Sequence, residues 1–256
     1  MSPVIGFGVP IHESVEGATF AALAMTWAAW RDIAPDGWKL RIAPPRGCSV
    51  VENRNAAAAV LLRDGFTLGD RDVPGGDAAL SPLSTRPADV IVWNDADCCV
   101  EPEQYVRLVE SLLAAPGDVA AVAYAFPMQS GTERPRPNAG RSSGPLAFNA
   151  PGPVQLVEVD WFGFGVVATR AEVYRAMDEA RWKRAAADIH ERLDWTPGPW
   201  FQHVSGRGGR GEDIGWCRDV RALGYKLMVD VGVEGEHWYR APHKLSDFYS
   251  QFHREG

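Results

Sequence analysis

Residues 90–100 read VIVWNDADCCV, an apolar run that turns polar at Asn94. The Val and Ile residues at its start are typical of a strand buried on both faces of a sheet. Asp95 and Asp97 follow where such a strand would leave the sheet, and open α/β sheets bind ligands at the carboxyl ends of their strands. Two neighbouring carboxylates are costly to bury without a cation, which a divalent ion shared with substrate phosphates would supply. The alternative is an ordinary turn, because Asn and Asp are also common turn residues.

The composition is that of a globular protein, with 256 residues, 46% hydrophobic and 23% charged. This length suits one large α/β domain or two small ones. The net charge of −7 argues against a generally basic surface for nucleic acid or anionic membrane. The sequence has neither an apolar run of transmembrane length nor a basic start followed by an apolar core. We therefore expect a cytoplasmic protein with reduced thiols and no membrane span.

Strand and helix patterns alternate along the chain, which is typical of a parallel α/β sheet. Three longer stretches rich in Gly, Pro and Ser are predicted to be loops, at 65–87, 127–153 and 205–211. The predicted strands are 4–9, 40–43, 90–93, 119–125, 154–160 and 226–231. The predicted helices are 17–30, 51–62, 101–113, 170–177 and 212–223.

A second pair of acids, Glu212 and Asp213, heads a predicted helix directly after a Gly-rich loop. Such a carboxylate is well placed to act as a general base once the loop closes over an acceptor hydroxyl. Acids at a helix start are also ordinary caps or partners of the helix dipole. His237 follows the last predicted strand, where it is either a structural histidine or a further metal ligand.

Several familiar catalytic motifs are missing from the sequence. It contains no P-loop, no Gly-x-Ser-x-Gly nucleophile elbow and no His-Glu-x-x-His zinc helix. No Gly-x-Gly-x-x-Gly follows the first predicted strand, which weakens a dinucleotide-binding interpretation.

The ordered set of motifs resembles the GT-A glycosyltransferases, most closely the family 2-like enzymes, over nearly the whole chain. The resemblance implies a GT-A fold, an α/β architecture with a mixed, mostly parallel central sheet flanked by helices. It also implies a single domain, 1–256, with a nucleotide-binding half at 1–126 and an acceptor and catalytic half at 154–256. The motifs that carry it are Asn53-Arg54-Asn55, Asn94-Asp95-Ala96-Asp97, Gly163-Phe164-Gly165, Pro199-Trp200-Phe201, Gly211-Glu212-Asp213, Val229-Asp230 and His237.

The same resemblance implies metal-dependent transfer of a sugar from a nucleotide-diphosphate sugar, such as a UDP- or GDP-sugar, to a hydroxyl acceptor. Asp95, Asp97 and His237 would hold Mn²⁺ or Mg²⁺ against the donor diphosphate. Asp213, with Glu212 as second choice, would deprotonate the acceptor, and direct attack would invert the anomeric centre. The residues implied in donor binding are Pro10, Glu13, Arg54, Asn94, Asp95, Gly163, Phe164, Gly165 and Trp200, with Trp200 and Phe201 stacking on the sugar or the acceptor.

Two other functions are compatible with the pattern. One is a nucleotidyltransferase-like enzyme, which also uses an α/β sheet and acidic metal ligands, although the Gly-rich basic loop usual after its first strand is missing here. The other is a nucleotide-sugar-binding module without turnover. The negative net charge counts against duplex nucleic acid as the acceptor.

Overall fold

The computed structural model describes most of the chain outside the predicted loops. The loops at 65–87 and 205–211 lie almost wholly outside the described residues, as does Glu13, whereas the 127–153 stretch is described at 136–142, where it forms two short strands. All structural statements below refer to residues 2–10, 17–43, 49–63, 86–114, 118–123, 125–126, 136–142, 156–185, 199–202, 211–239 and 241–244.

Each predicted helix is present, although the fourth extends well beyond the predicted end. The described helices are α1 (Gly17–Ile33), α2 (Val50–Leu62), α3 (Pro102–Ala114), α4 (Ala171–Ala185) and α5 (Glu212–Ala222). The first strands are β1 (Val4–Gly8), β2 (Lys39–Ala43), β3 (Val90–Asn94), β4 (Cys98–Cys99), β5 (Val119–Ala123), β6 (Ala125–Phe126) and β7 (Arg136–Pro137). They are followed by β8 (Ala139–Gly140), β9 (Leu156–Val159), β10 (Trp161–Phe162), β11 (Val166–Arg170), β12 (Leu227–Glu234), β13 (Glu236–Tyr239) and β14 (Ala241–Lys244).

The central sheet has seven strands in the order β2-β1-β3-β11-β5-β12-β9. Three of its strand pairs are parallel and three are antiparallel, so that β11 and β9 run against the other five strands. The prediction of a mixed, mostly parallel α/β sheet is confirmed. Because β11 is reversed, the residues just before it lie at the same edge as the residues just after β1 and β3.

Helices cover both faces of this sheet, as predicted. The side chains of β3 alternate between the two cores: Ile91 and Trp93 pack with residues of α2, α4 and α5, whereas Val90 and Val92 pack with residues of α1 and α3. All five residues of β3 are buried, which agrees with a strand covered on both faces. No helix among the described residues is long and apolar enough to cross a membrane.

A buried hydrogen bond joins β3 to α4 inside the larger core. Trp93 Nε1 donates to the Tyr174 hydroxyl over 2.6 Å, and both side chains are 0% exposed. Burial raises the pKa of the Tyr174 hydroxyl far above its ordinary value, so this group stays protonated. The indole N–H thus has a neutral acceptor, and the bond contributes to holding α4 against the sheet.

We expect Tyr174→Phe to lower the free energy of unfolding by about 1–3 kcal/mol, because it leaves the Trp93 N–H buried without its acceptor. Urea denaturation followed by circular dichroism measures the change. Tyr225→Phe is the matched control: Tyr225 is only partly buried, and a change of about 0.5 kcal/mol or less is expected there. Equal stability of Tyr174→Phe and the parent protein would contradict a stabilising role for this bond.

Candidate functional site

The Asp95–Cys98 segment forms a tight turn at the carboxyl end of β3. The Cys98 N–H donates to the Asp95 carbonyl over 3.0 Å, and the Asp95 N–H donates to the Gly165 carbonyl over 2.7 Å. Asp95 and Asp97 are both partly buried, with the side chain of Asp95 27% exposed. The two carboxylates therefore lie at the sheet edge where the sequence predicts them.

The side chain of Asn94 stabilises this turn through hydrogen bonds to its backbone. It is 0% exposed, its amide donates to the carbonyls of Asp95 and Cys98, and its oxygen accepts from the Tyr105 hydroxyl over 2.6 Å. These bonds use both ends of the amide inside the protein. The Asn94 side chain therefore shapes the turn that carries the two aspartates, and its contact with a donor stays a prediction.

Arg54 stands between the two acidic segments of the site. It lies on the inner face of α2, beside Ala57 and Ala58, and is 1% exposed. Its Nη2 donates to Asp95 Oδ1 over 2.6 Å and its Nη1 donates to Glu212 Oε1 over 2.7 Å. Arg54, a residue of the chain itself, therefore supplies a positive charge beside Asp95.

Two aromatic rings support the Arg54 guanidinium. Its central carbon lies 4.9 Å from the ring centroid of Phe164 and 5.6 Å from that of Phe201. Arginine over an aromatic face is attracted by the ring quadrupole, more strongly when the contact is desolvated. The guanidinium is therefore held both by two carboxylates and by two rings.

The local electrostatics shift the ionisation of three groups. Burial raises the pKa of Asp95 to about 6, although Arg54 opposes this rise. Burial alone would lower the pKa of Arg54, but Asp95 and Glu212 outweigh it and the net change is upward. Burial also raises the pKa of Asp213 above its ordinary value. Arg54 thus stays charged, while Asp213 binds a proton more readily than an exposed carboxylate does.

Glu212 and Asp213 begin α5 as predicted, but they have different partners. Glu212 is paired with Arg54, whereas Asp213 Oδ1 accepts from the Ile214 N–H over 2.7 Å. A proton acceptor works best when no strong ion pair fixes its charge. This difference favours Asp213 over Glu212 as a base, in the order that the sequence suggests.

The aromatic residues predicted to contact a sugar lie in the core. Phe164, Trp200 and Phe201 are 2%, 4% and 0% exposed. Asn55, next to Arg54 on α2, accepts from the N–H groups of Trp200 and Phe201 and donates to the Phe201 carbonyl. Both side chains are thus packed in the core, and stacking of Trp200 and Phe201 on a sugar or an acceptor stays a prediction.

The two glycines beside Phe164 have backbone roles at the same edge. Gly165 accepts from the Asp95 N–H, and the Gly163 N–H donates to the Asn138 carbonyl over 2.6 Å. The Phe164 ring lies against the Arg54 guanidinium and is buried. Sugar contact at Gly163, Phe164 and Gly165 remains a prediction.

The remaining predicted positions surround the turn. Pro10 is buried just beyond β1, which pairs with β3 in parallel register. His237 lies in β13 directly opposite Cys98 in the small sheet β14-β13-β4. The backbone of His237 is thus brought next to the Asp95–Cys98 turn, while its side chain lies outside the described part of the chain.

The donor set fits a metal that shares its coordination with a substrate. Among the described side chains, no group of three or more His, Cys, Asp and Glu is placed to hold a metal ion by itself. Arg54 binds Oδ1 of Asp95, and the carboxylate donors of the turn to such an ion would be the second oxygen of Asp95 and the Asp97 carboxylate. Mg²⁺ is commonly held by one or two carboxylates together with substrate phosphates, so this chemistry is compatible with the residues present.

A cavity lies near the far end of α5 from Glu212. It has a volume of about 190 Å³ and is bounded by α4, the 199–202 segment and the end of α5. Of the predicted site residues, only Trp200 borders it. The lining residues are Met177, Asp178, Ala180, Arg181, Pro199, Trp200, Gln202, Asp219, Ala222 and Leu223.

Sequence reasoning missed two features of the site. It did not anticipate that Arg54 pairs with Glu212, or that Asn55 fixes the Trp200–Phe201 segment. The available signal was the presence of three polar residues, Asn53-Arg54-Asn55, in an otherwise apolar, Ala-rich helix.

Comparisons with known proteins show no family for this chain. No family model matches the chain, and no curated protein sequence matches it. Among solved structures, the chain is similar to the crystal structure of A197 from STIV, with 13% identity and a TM-score of 0.46. The similarity covers 93% of this chain and 86% of that chain. At this level the likeness carries no argument about function.

Proposed function

We propose that this protein is a metal-dependent glycosyltransferase of GT-A type, which moves a sugar from a nucleotide-diphosphate sugar to a hydroxyl acceptor. The observation that carries the proposal is the pairing of Arg54 with both Asp95 and Glu212, which brings together two distant segments that each carry two carboxylates. Asp95 and Asp97 come from the end of β3, and Glu212 and Asp213 from the start of α5. A transferase needs one acidic group for the donor's metal and another for the acceptor's proton, and these two segments supply both.

Asp97 is the proposed principal ligand for Mn²⁺ or Mg²⁺, with Asp95 contributing directly or through water and His237 as a further ligand. The bound metal would stabilise negative charge on the departing nucleoside diphosphate as a Lewis acid. Arg54 already compensates Asp95, so the turn keeps its geometry before the donor arrives. The Asn94 side-chain amide donates to the Asp95 and Cys98 carbonyls, and the Asp95 N–H donates to the Gly165 carbonyl. These hydrogen bonds hold the backbone of the turn that carries Asp97.

Asp213 is the proposed general base. It would accept the proton of the acceptor hydroxyl as that oxygen attacks the anomeric carbon, with inversion of configuration. Its raised pKa makes it a better proton acceptor than an ordinary aspartate, while Glu212 keeps its charge engaged by Arg54.

Thermal unfolding with candidate donors tests the proposal. UDP-, GDP-, CMP- and TDP-sugars are each added with Mn²⁺ and, separately, with EDTA. A ligand that binds only the folded state raises the Tm, by an amount that grows with its concentration relative to Kd. We expect one nucleotide to raise the Tm with Mn²⁺ and not with EDTA. No shift with any donor at millimolar concentration would contradict the proposed donor site.

A further inference from the structure

The position of Arg54 suggests a role beyond charge compensation. We propose that Arg54 is a positioning residue that couples the Asp95–Cys98 turn to the first turn of α5, so that binding at the metal side orders the helix start carrying Asp213. The catalytic role of this coupling rests on the function proposed above. The mechanical coupling itself is a property of the fold and can be tested without a ligand.

One side chain makes both connections. Asp95 is 41 residues from Arg54 in sequence and Glu212 is 158 residues away, yet one guanidinium binds both, over 2.6 and 2.7 Å. Both partners lie at the end of an element. Asp95 is the first residue after β3, and Glu212 is the first residue of α5. A shift of either element end therefore has to be accommodated by the same planar group.

The guanidinium has little freedom to absorb such a shift by itself. Arg54 is 1% exposed and lies against Phe164 and Phe201. Phe201 is in turn fixed by Asn55 on the next position of α2. Because interiors are close-packed, displacement of one carboxylate is passed to the other rather than lost in side-chain motion.

The start of α5 has a glycine at its N-cap. Gly211 has no side chain with which to cap the helix, the Gly215 N–H donates to the Gly211 carbonyl over 3.2 Å, and the Asp213 carboxylate accepts from the adjacent Ile214 N–H. Glu212 and Asp213 are both partly exposed. The Arg54–Glu212 ion pair is thus a principal tether of the turn that carries the proposed base.

Hydrogen exchange of the α5 first turn tests the coupling. We compare the peptide covering 212–217 in the wild-type protein, Asp95→Ala, Glu212→Gln and the double variant, all without ligand. Asp95→Ala removes a contact far from α5 in sequence, and we expect exchange in this peptide to rise at least about threefold. Glu212→Gln, which removes the charge but keeps an oxygen acceptor for Arg54, is expected to give a smaller rise. The double variant should add little to Asp95→Ala, because both changes weaken one tether.

Asp219→Asn is the matched control, because Asp219 is exposed on the same helix and pairs with its neighbour Arg218. It should leave exchange in the first turn unchanged. If Asp95→Ala fails to fold, Asp95→Asn keeps an oxygen acceptor for Arg54 and should give a smaller rise in the same direction. Unchanged exchange in a folded Asp95 variant, or fully additive effects in the double variant, would overturn the coupling.

A second experiment, with nucleotide present, tests the coupling separately from the proposed function. UDP and GDP, each with Mn²⁺, should slow exchange of the 212–217 peptide in the wild-type protein, and this protection should be clearly smaller in Glu212→Gln. Nucleotide binding with equal protection in both proteins would overturn the coupling but leave the transferase intact. Absence of any nucleotide binding would instead count against the transferase, while the ligand-free exchange still decides the coupling.

Discussion

Asp97→Ala is expected to abolish metal-dependent nucleotide binding while leaving the protein folded. The Asp97 carboxylate accepts from the Cys98 thiol over 3.7 Å, whereas the backbone of the turn is held by hydrogen bonds of Asn94 and Asp95. Loss of a ligand should therefore weaken the metal–nucleotide complex by about 100-fold or more, since even outer-shell changes cost 10–100-fold. The free energy of unfolding should change by about 1 kcal/mol or less.

Isothermal titration with the selected nucleotide, in Mn²⁺ and in EDTA, measures the effect. Asp36→Ala, at an exposed position after α1, is the control and should bind as the wild-type protein does. Unchanged Mn²⁺-dependent affinity in Asp97→Ala would remove Asp97 from the site. The metal ligand would then have to be sought elsewhere at this edge of the sheet.

Asp213→Asn is expected to lower the rate of transfer by about two orders of magnitude or more, as for loss of a general base. The substitution keeps the side chain's shape and its oxygen acceptor for the Ile214 N–H, so nucleotide binding should persist. The rate can be followed as release of nucleoside diphosphate at saturating donor. Because water can replace the unknown acceptor, slow donor hydrolysis is sufficient for the comparison.

The control for this variant is Asp219→Asn, six residues further along α5, which should retain the wild-type rate. Wild-type turnover in Asp213→Asn would contradict the assignment of this residue. The base would then be Glu212 or another group, and the ion pair between Glu212 and Arg54 would have to open during the reaction.

The sequence predicts the sheet and the acidic turn well because both depend on local patterns. An apolar β-branched run followed at once by polar residues identifies β3 and the edge where Asp95 and Asp97 emerge. The acids at 212–213 after a Gly-rich stretch likewise identify the start of α5. Once the strand directions are known, the meeting of these segments at one edge follows.

The partners within the site could not be predicted in the same way. The ion pair of Arg54 with Glu212 joins residues 158 positions apart, and no local pattern encodes which carboxylate a buried arginine will reach. The amino-acid sequence of the Trp200–Phe201 segment is equally compatible with an exposed aromatic surface and with a buried position in the core. Its burial is decided by the tertiary bonds to Asn55 and the Trp200 indole bond to the Tyr174 carbonyl.

The central claim, transfer of a sugar from a nucleotide-diphosphate donor, is tested most directly by identifying the products formed from that donor. The wild-type protein is incubated with the selected donor in Mn²⁺ or EDTA, and the nucleotide and sugar products are separated and quantified. For a metal-dependent glycosyltransferase, we expect nucleoside diphosphate and released or transferred sugar in equal amounts, formed with Mn²⁺ and not with EDTA. Intact donor despite binding, or cleavage that yields pyrophosphate or a sugar phosphate, would contradict it.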